Sequence, residues 1–118
     1  MCPIDTSRLN SHEPLPSAAD LLTWAEIDLD AIAFNAANLK ARAGDAELMV
    51  TVKANAYGHG AVPVAQAALE GGATRLAVHR TLEGMQLRLA GITAPILIMG
   101  YTLPAEAERI VRWNLTPT

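Results

Sequence analysis

A short segment of the chain carries the side chains that could do chemistry together. It places Lys53, Tyr57, Gly58 and Gly60 directly after the apolar run 48–52. A lysine amine can attack an aldehyde and form a covalent link, and a phenolic hydroxyl can donate a hydrogen bond to an anion. Glycines let the backbone approach an anion near the start of a helix. The segment therefore predicts an amine beside a corner that binds phosphate.

Lys53 is one of two lysines in the chain. The ordinary interpretation of such a residue is a solvated lysine at the end of a strand. Lys40, the other lysine, falls in a helix whose apolar pattern turns it toward water, whereas Lys53 ends a buried apolar strand. Partial desolvation there favours the neutral amine that reacts with an aldehyde. For Tyr57, the alternative to a phosphate ligand is an aromatic residue packed on the rim of the fold.

Other motifs near this segment are weak. Gly58 and Gly60 follow a strand as in a dinucleotide-binding fingerprint, but Pro63 occupies the third glycine position. His59 is expected to be a hydrogen-bonded loop histidine, and His79 to be structural or exposed at the rim. The histidines and Cys2 show no spacing typical of metal ligands.

The elements that must position Lys53 follow a regular βα order. Apolar runs predict strands at 48–52, 75–78 and 96–99, with a fourth beginning at 115–116. Periodicity and caps predict helices at 29–43, 61–70, 81–90 and 104–113, with Asp28 or Asp30 capping the first and Thr81 the third. Such βα units imply parallel strands, either in a doubly wound sheet or in a (β/α)8 barrel. The chain of 118 residues is short for a barrel, so length alone favours the open sheet.

Composition narrows the class of protein. Residues 1–22 combine prolines with polar residues and are predicted to be a mobile leader, which leaves 23–118 for the fold. Nine basic and twelve acidic residues give a net charge of -3, which does not indicate a nucleic-acid or membrane binder. No apolar run is long enough for a membrane span. A single cysteine fits a reducing cytoplasm.

The string from Val52 to Gly60 resembles the pyridoxal-phosphate attachment signature of alanine racemases. The resemblance extends over nearly everything from Trp24 to Thr118. It includes 24–30 with Asn35, 76–78, Leu87, Arg88, 90–92 and 95–100. This resemblance reverses the preference for an open sheet, because it implies the first three βα units of an incomplete (β/α)8 barrel.

The resemblance also implies an activity and a role for three residues. Lys53 would carry pyridoxal 5'-phosphate and act as one of two catalytic bases. Tyr57 would hold the phosphate, and Met99 would lie near the cofactor. The second base would be a tyrosine of the partner subunit in a homodimer. The reaction would interconvert L-alanine and D-alanine, supplying D-alanine for peptidoglycan.

The sequence departs from the family pattern at Thr51, where Val or Ile is usual, and at His79 with Arg80, where a small residue is common. Two alternatives stay open: a serine or broad-specificity amino-acid racemase, and a truncated fragment without catalysis. The chain by itself is expected to be inactive, because the resemblance places the opposite base elsewhere. Lys53, Val78 and Met99 are expected to lie close together at the carboxyl edge of the strands.

Overall fold

The computed structural model describes residues 23–118, in which strands and helices alternate. The predicted leader, 1–22, lies outside the described residues. In chain order the elements are α1 (Leu29–Ala43), β1 (Met49–Thr51), α2 (Lys53–Tyr57), α3 (Ala61–Glu70), β2 (Arg75–Val78), α4 (Thr81–Leu89), β3 (Ile96–Ile98), a 3-10 helix (Pro104–Glu106), α5 (Ala107–Arg112) and β4 (Thr116–Pro117).

The four strands form one parallel sheet in the order β1-β2-β3-β4. Thr51 pairs with Ala77, Ala77 with Leu97, and Leu97 with Thr116. A doubly wound sheet reverses its order at a switch point, whereas successive strands of a (β/α)8 barrel lie side by side. The order without reversal is therefore that of an incomplete barrel, and it confirms the fold class predicted from the sequence.

The core lies between one face of the sheet and the helices. Alternate residues of a strand point to opposite faces, so one set from each strand can enter this core. Val52, Leu76, Val78, Ile96 and Ile98 are fully buried there against residues of the helices, among them Ala65, Leu87 and Ile110. The intervening residues, such as Thr51 and Leu97, face the other side, which is the interior of a closed barrel.

The four predicted helices begin and end close to their predicted positions, and the short α2 is an element that the sequence did not predict. The first is capped by Asp28, whose Oδ1 accepts a hydrogen bond from Ala31 N at 2.9 Å. The predicted helix 104–113 divides in two, because Ala107 N donates to Pro104 O three residues back, which is the 3-10 pattern. The prediction that Thr81 caps α4 is wrong: Arg80 occupies the N-cap position and Thr81 is the first helical residue.

Lys40 also departs from its prediction of a side chain turned simply toward water. It is half-buried, and its Nζ donates to Gly44 O at 2.9 Å and to Ala46 O at 2.7 Å. Gly44 and Ala46 follow the last residue of α1, so both carbonyls belong to the turn that leaves the helix. Lys40 therefore ties the last turn of α1 to the segment that leads to β1.

Arg88 connects three segments through backbone carbonyls. Its guanidinium donates to Ile92 O at 2.7 Å and Ala94 O at 2.8 Å, before β3, and to Trp113 O at 3.0 Å and Asn114 O at 2.9 Å, before β4. Burial lowers the pKa of Arg88, but a guanidinium stays charged at neutral pH. The fixed fork of five donors explains why arginine suits a position that serves four acceptors.

We predict that Arg88→Lys lowers the free energy of unfolding by about 1–3 kcal/mol, because a point-like ammonium cannot reach four separated carbonyls. Urea denaturation followed by circular dichroism measures the change. Arg112→Lys is the matched control, since Arg112 makes only an exposed ion pair with Glu108 at 2.8 Å. Equal losses of stability in the two variants would contradict the role given to Arg88.

Candidate functional site

The short element α2, directly after β1, is a single left-handed helical turn, which the sequence did not predict. Four residues in succession have positive φ: Ala54 at 51°, Asn55 at 56°, Ala56 at 53° and Tyr57 at 56°. Each L-residue in this conformation costs about 1–2 kcal/mol, and most such residues occur singly. The turn is therefore strained and must be held by its surroundings.

Hydrogen bonds inside the segment supply part of that support. Ala56 N donates to Val52 O at 3.0 Å, and Gly60 N donates to Asn55 O at 2.9 Å. Asn55 Oδ1 accepts a hydrogen bond from Ala61 N, the first residue of α3, at 2.8 Å. Asparagine tolerates the left-handed region better than most residues. Asn55 thus serves both the turn and the start of the next helix.

Glu83, on α4, holds the turn from outside. Its Oε1 accepts a hydrogen bond from Ala54 N at 2.6 Å, and its Oε2 accepts from His79 N and Arg80 N, each at 2.8 Å. Burial alone would raise the pKa of the Glu83 carboxyl. The three backbone hydrogen bonds and the charge of His79 outweigh burial, so the pKa lies below its ordinary value.

The carboxyl ends of β1, β2 and β3 lead to Lys53, His79 and Met99. These three residues directly follow Val52, Val78 and Ile98, whose side chains are fully buried in the core. Val52 N donates to Ala77 O at 2.9 Å and Met99 N to Val78 O at 2.8 Å, so the three strand ends keep their register. Neighbouring strands are about 4.8 Å apart, which puts β1 and β3 about 10 Å apart at this edge.

The strand ends therefore meet at one edge as predicted, but Val78 contributes only its backbone there. Its side chain is buried among the core residues, and His79, the first residue after β2, is the one that shares a cavity with Lys53. This cavity of 290 Å³ is lined by Lys53, Ala54, His79, Arg80 and Glu83. Met99, the first residue after β3, does not line the cavity and is 37% exposed.

Tyr57 and His59 follow Lys53 on the same segment. Tyr57 is 62% exposed, which leaves its ring available rather than packed on the rim. His59 Nδ1 lies 3.1 Å from Ala56 O, the hydrogen bond expected for a loop histidine. Gly58 and Gly60 have φ values of 93° and 94°, which side chains rarely adopt. These glycines complete the reversal of the chain into α3.

The site residues fit an anionic cofactor that carries an aldehyde. The amine of Lys53 is half-buried at the cavity, and Tyr57 offers a hydroxyl from the same turn. Within residues 23–118, no three His, Cys, Asp or Glu side chains are grouped as ligands of a metal ion would be. In the same part of the chain, no helix is long and apolar enough to cross a membrane.

A larger hollow of 550 Å³ lies elsewhere, between the 3-10 helix, α5 and β4. It is lined by mainly apolar residues, including Tyr101, Leu103, Val111 and Pro117. Its lining residues include no amine, carboxylate or imidazole, and the hydroxyls of Tyr101 and Thr102 have no such group beside them to activate them. The smaller cavity beside Lys53 is the better candidate site because of its chemistry rather than its size.

The fold and the site define a class: a barrel-type α/β domain that presents a lysine amine on the turn after its first strand. Comparison with known proteins narrows this class to one family. The family described as alanine racemase, N-terminal domain, matches residues 27–118. The chain belongs to this family.

Curated relatives and solved structures agree with this assignment. The alanine racemase of Carboxydothermus hydrogenoformans is 54% identical over 95 residues, which cover 80% of this chain and 26% of that protein. The alanine racemase of Nostoc sp. is 52% identical over 97 residues, covering 80% and 25%. The chain therefore spans about a quarter of the length of the curated relatives it matches.

Among solved structures, that of Bacillus anthracis alanine racemase with bound L-Ala-P superimposes with a TM-score of 0.76 at 47% identity. The match covers 78% of this chain and 24% of that one. The Clostridium difficile alanine racemase in complex with cycloserine gives a TM-score of 0.76 at 43% identity, covering 82% and 26%. The fold of the described residues is therefore that of the corresponding quarter of these enzymes.

Sequence reasoning missed Glu83 and the capping role of Asn55. A glutamate three residues after the N-cap position is a recognisable signal for a helix start, and it accounts for the bond from Arg80 N. The bond from Ala54 N joins residues 29 positions apart, and no local pattern reports such a contact. Asn55 carried a weaker signal, since asparagine before glycines favours a turn.

Substitutions of Asn55 separate the effect of backbone strain from the effect of the hydrogen bond that its side chain accepts. We predict that Asn55→Ala lowers the free energy of unfolding by about 1–2 kcal/mol, because it removes the acceptor for Ala61 N and leaves a less tolerant residue at positive φ. Asn55→Gly, which removes the acceptor but relieves the strain, should lose less. Urea denaturation of both variants makes the comparison, and a greater loss for glycine would contradict it.

The pH dependence of stability follows from the lowered pKa of Glu83. A carboxyl whose pKa is lower in the folded state stabilises the fold above its unfolded value, and that stability is lost as the pH falls through the folded value. We predict that the urea midpoint falls from pH 5 to pH 3, and that it falls less steeply in Glu83→Gln. Parallel curves for the two proteins would show that Glu83 does not contribute to acid sensitivity.

Proposed function

We propose that this chain supplies the cofactor-holding part of a pyridoxal-phosphate-dependent alanine racemase, with Lys53 as the attachment residue. The observation that carries the proposal is the placement of Lys53: it directly follows the fully buried Val52 just beyond β1, begins a strained turn, and shares that turn with Tyr57. The strand itself is only partly buried, which differs from the buried strand that the sequence predicted. The family is that of proteins named alanine racemase. The assignment of residues 23–118 to the N-terminal part of a barrel domain belongs to the same proposal.

Each candidate residue has a separate task in this proposal. Lys53 holds the cofactor through its amine and afterwards moves a proton to or from the α-carbon of alanine, on one face. Tyr57 donates a hydrogen bond to the phosphate, and Met99 packs beside the ring. When bound, pyridoxal 5'-phosphate supplies an electron sink for the charge that develops at the α-carbon.

Inversion of the α-carbon needs a second base on the opposite face, because a proton removed from one side must be replaced from the other. We assign that base to a tyrosine of the partner subunit in a homodimer, outside the described residues. A cytoplasmic location and D-alanine supply for peptidoglycan complete the proposal. In this proposal, the chain supplies the residue that anchors the cofactor and one of the two bases.

Covalent labelling of the 118-residue chain tests the attachment residue. After incubation with pyridoxal phosphate and reduction with borohydride, peptide mapping should find the label predominantly on Lys53. Lys53→Arg should abolish that label, and Lys40→Arg, the matched control, should leave it unchanged. Equal labelling of both lysines would indicate nonspecific chemistry and would contradict the proposal.

The racemase activity is tested in a chimera. Residues 27–118 replace the matching segment of the Carboxydothermus hydrogenoformans enzyme, to which the chain is 54% identical. In deuterated water, the chimera should exchange the α-hydrogen of alanine and invert the configuration of the α-carbon. Lys53→Ala should lower the rate of racemisation by at least about 10²-fold. Preferential turnover of serine would favour the broad-specificity alternative, and a folded but inactive chimera would favour a non-catalytic fragment.

A further inference from the structure

The carboxylate of Glu83 joins the ends of two neighbouring strands. Its Oε1 accepts from Ala54 N, just beyond β1, and its Oε2 accepts from His79 N and Arg80 N, just beyond β2. Ala54 directly follows Lys53, so this bond fixes the peptide group on the far side of the lysine. We propose that Glu83 is a positioning residue for Lys53, a role that rests on the proposed function.

The geometry explains why the turn needs an external acceptor. Ala54 is the first residue with positive φ, and its N–H points out of the turn to a side chain 29 positions away. Val52, on the near side of Lys53, is held by the bond from its N–H to Ala77 O at 2.9 Å. The backbone on both sides of Lys53 is therefore tied to β2 and to α4. That double attachment sets the direction in which the Lys53 side chain leaves the strand.

The charge of Glu83 suits this task. An ionised carboxylate only accepts hydrogen bonds, and it has enough lone pairs for all three N–H donors. Charge-assisted bonds of this kind are shorter and stronger than neutral ones. Lys53, His79 and Arg80 line the same cavity, and among the described residues that line it Glu83 is the acidic one.

Glu83→Gln separates the hydrogen bond to the turn from the two hydrogen bonds at the start of α4. An amide has one oxygen and one NH2 group, so it cannot accept bonds on both sides. The oxygen is expected to stay with the two donors at the start of α4, which leaves NH2 opposite Ala54 N. The cap of the helix then survives while the turn is released. Glu106→Gln is the matched control, because Glu106 accepts from a backbone N–H, Leu103 N at 3.1 Å, without touching the turn.

Amide hydrogen exchange by NMR measures the protection of the three N–H groups that bond to Glu83, and it needs no cofactor. In Glu83→Gln the Ala54 amide should exchange at least about tenfold faster, while the His79 and Arg80 amides keep their protection. Glu106→Gln should leave all three amides unchanged. Unchanged protection of Ala54 in Glu83→Gln would overturn the proposal at its first step.

The rate of covalent labelling by pyridoxal phosphate reports the position of the amine. Glu83→Gln should slow labelling of Lys53 by about tenfold, which corresponds to about 1.4 kcal/mol. The slow labelling of Lys40 should not change, so a merely less stable fold is distinguished from a misplaced Lys53. A normal rate at Lys53 with a released Ala54 would overturn the positioning role alone. Absence of label on Lys53 of the unmodified chain would overturn the proposed function itself, and the positioning role with it.

Discussion

A left-handed turn built from residues other than glycine persists only where the surrounding structure holds it, and this constraint organises the edge of the sheet. From Ala54 to Tyr57, every residue has positive φ. Asn55 supports the turn by capping α3, and Glu83 supports it from α4. Two helices, α3 and α4, are thus both hydrogen-bonded to the segment that begins with Lys53. Strain of this kind is characteristic of functional sites.

Ionic side chains in this fold act chiefly on backbone groups. Glu83 serves three N–H donors and Arg88 serves four carbonyls. Both sit on α4, and they secure the two ends of the strands it connects. The ion pair between Arg112 and Glu108 lies instead on an exposed surface, where such pairs contribute little. α4 therefore fixes the site at one end and the connection from β3 to β4 at the other.

The βα order, the helix spans and the edge that carries Lys53 could all be predicted, because apolar runs and helical periodicity are local signals. The choice between an open sheet and a barrel could not be made from length or periodicity. It rested on the resemblance carried by Val52–Gly60, and the strand order then confirmed it. The left-handed turn was missed because alanine has no preference for that conformation. His79 is exposed at this edge, as the sequence led us to expect. Its place in the cavity with Lys53 was not predicted, because the apolar run ends at Val78 and carries no signal about the residues after it.

The described residues position Lys53 at the carboxyl edge of the sheet, and side chains at this edge are exposed to solvent. Tyr57 and Tyr101, which follow β1 and β3 at this edge, are 62% and 84% exposed. Charge developing at an α-carbon is best stabilised where bulk water is excluded, so a racemase needs a cover over this edge. In the proposed reaction, the second base acts on the face of the substrate opposite Lys53. In the proposed function, one partner surface outside residues 23–118 would meet both requirements, because it would exclude water and supply the opposite base.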